Sequence, residues 1–89
     1  MKFTIDLEAA ESKEELHALL AESLPLPDYY GYNLDALYDV LTDGHAMWEI
    51  RFENSSECAD NLGDYFESFR ETVEDAVAQG AALRVEWAG

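Results

Sequence analysis

Apolar and polar residues alternate with a period of two in three short stretches of the chain, and recur at helical spacing between them. Phe3, Ile5 and Leu7 alternate with Thr4 and Asp6, which predicts a strand over Met1–Leu7. Trp48, Ile50 and Phe52 alternate with Glu49, Arg51 and Glu53 and predict a second strand over Met47–Glu53. Leu83, Val85 and Trp87 alternate with Arg84 and Glu86 and predict a third. Ser12 and Glu15 form a capping-box pair ahead of Leu16, Leu19, Leu20 and Leu24. That helix should end near Ser23, because Pro25 disfavours helix just before it. Leu24–Leu26 is then extended, and Pro27 opens a short helical turn that Gly31 closes. A second helix is expected over Leu34–Thr42, with Asn33 as N-cap and Gly44 as its stop. Asn54–Asn61 is rich in turn and capping residues and should hold a short helical piece around Glu57. From Leu62 a long helix carries Leu62, Phe66, Phe69, Val73 and Val77 on one stripe, with Tyr65 and Ala76 beside it, and Gly80 ends it.

Helices at each crossover between strands predict an α/β fold built on a small three-stranded parallel sheet. A parallel sheet buried on both faces reads as continuous apolar runs. These strands alternate instead, so the helices should pack mainly on one face and leave the other to water. Arg51 and Arg84 among Glu49, Glu53 and Glu86 would then form cross-strand ion pairs on the wet face. The 89 residues make one domain, 1–89, with one core.

The predicted helix over Leu34–Thr42 opposes itself. At roughly 100° per residue, Leu34, Leu37 and Leu41 share an arc of about 60°, with Val40 at its edge. Asp35, Asp39 and Thr42 share another arc of about 60° away from the leucines, with Asp43 beside them and Tyr38 at the border. Aspartates four apart repel by about 0.2–0.5 kcal/mol per pair, and the last helical turn disfavours anions. No Lys or Arg lies between Lys13 and Arg51 to relieve the row. A helix that buries leucines and stacks carboxylates against its own stability is shaped for something other than stability.

Composition narrows what that can be. Twenty acidic against five basic residues give a net charge of −15, so nucleic acid and anionic membrane are poor partners and a basic protein surface is a good one. The hydrophobic fraction of 48% suits a globular chain. Cys58 is the sole cysteine, so no disulfide forms within the chain. Neither a signal peptide nor an apolar run of spanning length is visible, and a cytoplasmic protein is expected. Two carboxylates without further ligands or a phosphate-binding loop make no metal site, and no cofactor is implied. His17 falls inside the first helix and His45 in a turn, neither set with a serine or cysteine, so an enzyme is not expected.

The run Pro-Asp-Tyr-Tyr-Gly-Tyr-Asn-Leu-Asp-Ala-Leu-Tyr-Asp-Val-Leu-Thr from Pro27 to Thr42 closely resembles the signature of the barstar family of bacterial intracellular ribonuclease inhibitors. Tyr29, Tyr30, Gly31, Asn33, Leu34, Asp35, Ala36, Leu37, Asp39, Leu41 and Thr42 fit in order without gaps, and the second half of the chain matches more loosely. The resemblance implies a barstar-like fold and an immunity protein, a monomer when free, that blocks a small basic ribonuclease (barnase-like, or a related guanyl-type toxin). It places the central contacts on Asp35 and Asp39, standing in for substrate phosphates. Tyr29 and Tyr38 would flank them, although the family usually has Trp at the position of Tyr38, and for Tyr30 a core rim is the preferred reading. Asn33 is a cap and a contact or loop organiser. Thr42 either donates to the partner or bonds back onto its own helix. Where the family's familiar inhibitor has Gly then Trp, this chain has Asp43 and Gly44, adding a negative charge. Asp75 takes roughly the place of a family acid that reaches the partner's edge, or belongs to a polar helix face with Glu67 and Glu71. The alternative to inhibition is an acidic adaptor for some other basic protein.

Overall fold

The computed structural model describes residues 1–44 and 47–89, and the turn expected at His45 lies outside the described residues. The elements are β1 (Lys2–Asp6), a 3₁₀ turn (Leu7–Ala9), α1 (Lys13–Ser23), α2 (Leu34–Thr42), β2 (Trp48–Glu53), α3 (Ser55–Leu62), α4 (Asp64–Ala78) and β3 (Leu83–Trp87). The three strands form one parallel sheet in the order β1-β2-β3. Register aligns Ile5, Phe52 and Trp87 in one row and Thr4, Arg51 and Glu86 in the next.

Alternation sorts the two faces as expected. Ile5, Trp48, Ile50, Phe52 and Leu83 are buried against the helices, whereas Lys2, Thr4, Arg51, Arg84 and Glu86 are exposed. The wet face carries the anticipated ion pairs, with Arg51 Nη1 2.9 Å from Glu86 Oε1 and Arg84 Nη1 3.8 Å from Glu49 Oε1. Lys2 adds a third pair at 3.8 Å from the same glutamate. Each is water-exposed and worth little singly.

The packed face is aromatic. Phe52 stacks on Trp87 with ring centroids 4.7 Å apart and meets Phe69 edge-on at 5.5 Å. Arg70 lies 5.5 Å over the outer face of the Trp87 ring and pairs with Glu74. On α4, Phe66, Phe69, Val73 and Ala76 are buried, as a helical stripe requires.

Three local readings need correction. Leu62 belongs to α3, because Gly63 takes φ +57° and ψ −128° and breaks the chain between two helices. Val77 is 39% exposed and Ala76 closes the stripe instead. The chain turns back over that side: Gly80, at φ +82°, lets Gly80 N–H donate to Val77 O and Ala81 N–H to Ala76 O. Pro27 opens a single hydrogen-bonded turn, Tyr30 N–H to Pro27 O at 3.0 Å, rather than a piece of helix.

Three sets of long-range polar ties complete the frame. The first backbone N–H groups of α3 have no side-chain cap; Ser55 and Ser56 donate instead to the carbonyls of Ala88 and Gly89 at 3.0 and 3.1 Å. The side chain of Asn54, at φ +57°, donates to Asp6 Oδ1 at 2.8 Å and holds that carboxyl below its ordinary range. On the other side, His17 of α1 is buried, with Tyr30 Oη 2.6 Å from Nδ1 and Tyr65 Oη 2.6 Å from Nε2. A neutral imidazole satisfies both contacts, donating through one nitrogen and accepting through the other. This relay ties α1 to the loop before α2 and to the start of α4.

Burial lowers the His17 pKa below its ordinary value. On acidification below about pH 6.5, the unfolded chain takes up this proton before the folded one does. The contribution of His17 to stability is therefore complete above that pH and is lost as pH falls. Urea unfolding at pH 7.5 and 5.5 should show wild type losing more stability than His17→Gln; parallel losses would place the acid sensitivity elsewhere.

Candidate protein-binding face

Helix α2 is held from beneath and from its start. Leu37 and Leu41 are each 1% exposed, Leu34 and Val40 half-buried, and the helix packs on α4. Asn33, at an extended φ of −143°, accepts from Ala36 N–H through Oδ1 at 2.8 Å. Its Nδ2 donates to Gly31 O at 3.0 Å, which ties the preceding loop to the helix start. Asn33 is thus both cap and loop organiser. A Cβ on Gly31 would lie 3.1 Å from Asn33 Nδ2, so a larger residue there would press on the Asn33 side chain. The left-handed conformation falls one residue later, on Tyr32 at φ +52°.

The opposite side of α2 is open. Asp35, Asp39, Thr42 and Asp43 are exposed, and the three aspartates make no ion pair among the described residues. Successive Asp positions are about 6 Å apart along the axis. Three of the five bases stand on the wet face of the sheet, Arg70 is paired on α4, and Lys13, the fifth, makes no ion pair among the described residues. Tyr38 is half-buried at the border, as its angular position requires. Thr42 Oγ1 donates to Tyr38 O at 2.8 Å, a bond back onto its own helix.

Two grooves flank this row and divide it. One, of about 560 Å³, is lined by Leu26, Pro27, Tyr29, Asp39, Thr42, Asp43 and Trp48 among others. The second, of about 330 Å³, is lined by Lys13, Glu14, Tyr32, Asn33, Leu34, Asp35 and Tyr65. Tyr29, 85% exposed, therefore faces the same space as Asp39, Thr42 and Asp43, while Asn33 and Asp35 face the other. Asp75 is exposed on α4 and lines neither groove. Tyr30 is buried with its hydroxyl on His17, a core position, as preferred for it.

Tyr32 and Trp48 are the groove residues the sequence reading passed over. Tyr32 is 53% exposed with its ring 5.4 Å from that of Tyr30. The only signal was an aromatic residue immediately before an N-cap, and the neighbouring glycine drew the turn assignment. The chemistry available here is recognition. Cys58 is fully buried, and burial pushes its thiol up to about 11, so it is no nucleophile at neutral pH. Both ring nitrogens of His17 are engaged in the interior. Among the described residues no group of three or more His, Cys, Asp or Glu side chains is placed to hold a metal ion, and no helix is long and apolar enough to cross a membrane.

The chain is a small α/β protein in which a three-stranded parallel sheet supports a helix with an exposed acidic face. The family model described as Barstar (barnase inhibitor) matches residues 1–88, and the chain belongs to the barstar family. It is also 37% identical over 76 residues to the "Putative ribonuclease inhibitor YrdF" of Bacillus subtilis (strain 168), covering 84% of each chain.

The cap and tether can be separated by substitution. Asn33→Ala should cost about 1 kcal/mol in urea unfolding. Asn33→Asp, which keeps the acceptor for Ala36 N–H but loses the donor to Gly31, should cost less; equal costs would mean that the tether, not the cap, holds the helix start.

Proposed function

We propose that this chain is an immunity protein that inhibits a small basic ribonuclease by laying α2 into its active-site cleft. The observation that carries the reading is the row Asp35–Asp39, exposed and unpaired among the described residues, on a helix anchored by buried leucines in a chain of the barstar family. The two carboxylates accept charge-assisted hydrogen bonds from the arginines and lysines that otherwise hold RNA phosphates. Tyr29 and Tyr38 supply apolar area beside them. Asn33 fixes the approach of the loop, Thr42 and Asp43 extend the acceptor surface, and Asp75 meets the rim of the partner from α4. Inhibition is by occupation, without chemistry or cofactor. The net charge of −15 speeds encounter with a basic enzyme and repels RNA. The free protein is a monomer that protects the producing cell from its own nuclease or a related toxin.

A second reading, an acidic adaptor for a basic protein that is not a nuclease, is favoured by the departures at Tyr38, Asp43 and Gly44, which alter the rim of the contact surface. Titration into a barnase cleavage assay, together with capture on immobilised chain, distinguishes the two. Under the inhibitor reading the enzyme is bound and silenced. Asp39→Ala should weaken binding at least ~30-fold, the scale of a central hot spot. Glu86→Ala, on the wet face of the sheet, should change it by less than about fivefold. Equal effects would mean diffuse charge rather than a site. Raising salt should slow association more than it speeds dissociation.

A further inference from the structure

The cleft that holds Asp35 also holds the most unusual residue of the loop. Tyr32 adopts φ +52°, a region that glycine or asparagine occupies at less cost than an aromatic residue. Its side chain is nonetheless 53% exposed, so core burial does not account for a tyrosine here. Its surroundings hold the conformation. Asn33 ties Gly31 to the helix start, the Tyr32 ring rests 5.4 Å from Tyr30, and Tyr30 is fixed through His17 to Tyr65. An aromatic residue in this conformation and half in solvent has a use other than core packing. The space it borders, about 330 Å³, lies at the low end for small-molecule sites and suits a partner's side chain better than a cofactor.

We propose that the Tyr32 cleft receives an arginine of the basic partner, its guanidinium stacked on the Tyr32 ring and bonded to the Asp35 carboxylate, and that Tyr32 thereby sets which basic ribonuclease is held most tightly. This rests on the inhibitor reading above, which already uses Asp35, and adds Tyr32 to its contact surface. The chemistry favours a guanidinium: a half-exposed aromatic ring and the Asp35 carboxylate line the same cleft, and Glu14 adds a second carboxylate to it. Lys13, the remaining charge there, has no ion-pair partner among the described residues and opposes a cationic occupant.

The test uses the full chain with barnase as probe, measuring dissociation constants and melting temperatures. Tyr32→Gly, which accepts the left-handed backbone, should weaken binding about 5- to 30-fold with its melting temperature within a few degrees of wild type. Tyr32→Trp should tighten binding, and Lys13→Gln, which removes a repelling charge, should tighten it too. Against single Arg→Ala variants of barnase, one variant should abolish most of the Tyr32→Gly effect in a double-mutant cycle. If Tyr32→Gly binds within twofold of wild type, or Lys13→Gln weakens binding, or no arginine couples to Tyr32, the inference is overturned while the Asp39→Ala result still decides the inhibitor reading. If Tyr32→Gly melts much earlier, the Tyr32→Trp, Lys13→Gln and arginine arms decide. If wild type fails to bind barnase, or Asp39→Ala has no effect, the inhibitor reading falls and this inference with it.

Discussion

Leu37 and Leu41 hold down a nine-residue helix whose own surface charges push against it. Full burial of a leucine side chain is worth about 1.5–3 kcal/mol. Each like-charged i,i+4 pair on the opposite face costs about 0.2–0.5 kcal/mol. The core side wins by several-fold, and that margin lets the chain keep Asp35, Asp39 and Asp43 in a row with no ion pair among the described residues. Take away the leucine anchor and so short a helix has no independent stability to hold the row in place.

The anchor sets the face outward, but polar ties decide its edges. Asn33 serves α2 twice, capping it and drawing Gly31 in, so the loop enters at one angle. The Tyr30–His17–Tyr65 relay carries that constraint inward to α1 and α4, far beyond the reach of any local turn preference. Under the inhibitor reading, the loop would meet its partner already formed. A pre-formed contact surface loses less ordering entropy on binding, which is where tight protein–protein contacts gain much of their advantage.

Charge is sorted over the molecule as deliberately as apolar surface. Lys2, Arg51 and Arg84 all stand on the wet face of the sheet, each beside a glutamate in register, so that face is close to neutral. The uncompensated acids lie elsewhere, among them the α2 row. Under the inhibitor reading, a net negative field of this kind would draw in a cationic protein.

Much of this was legible in the residues. Period-two alternation marked three strands and their dry and wet faces, and helical spacing marked α2 from Leu34 to Thr42 with Asn33 as its cap. These follow from short-range geometry, in which the side a residue faces depends on its position in the repeat. What the sequence could not say concerns groups that meet only after folding. Val77 matches the stripe of α4 as well as Ala76 does, and only the turn back through Gly80 and Ala81 decides which is covered. The left-handed residue of the loop is Tyr32, which only the folded backbone reveals. The carbonyls of Ala88 and Gly89 cap α3, more than thirty residues distant. The division of one acidic row between two grooves depends on where Tyr29, Trp48, Lys13 and Tyr65 arrive from other parts of the chain. Faces come from local periodicity; clefts and relays come from non-local packing, which no single stretch of sequence encodes.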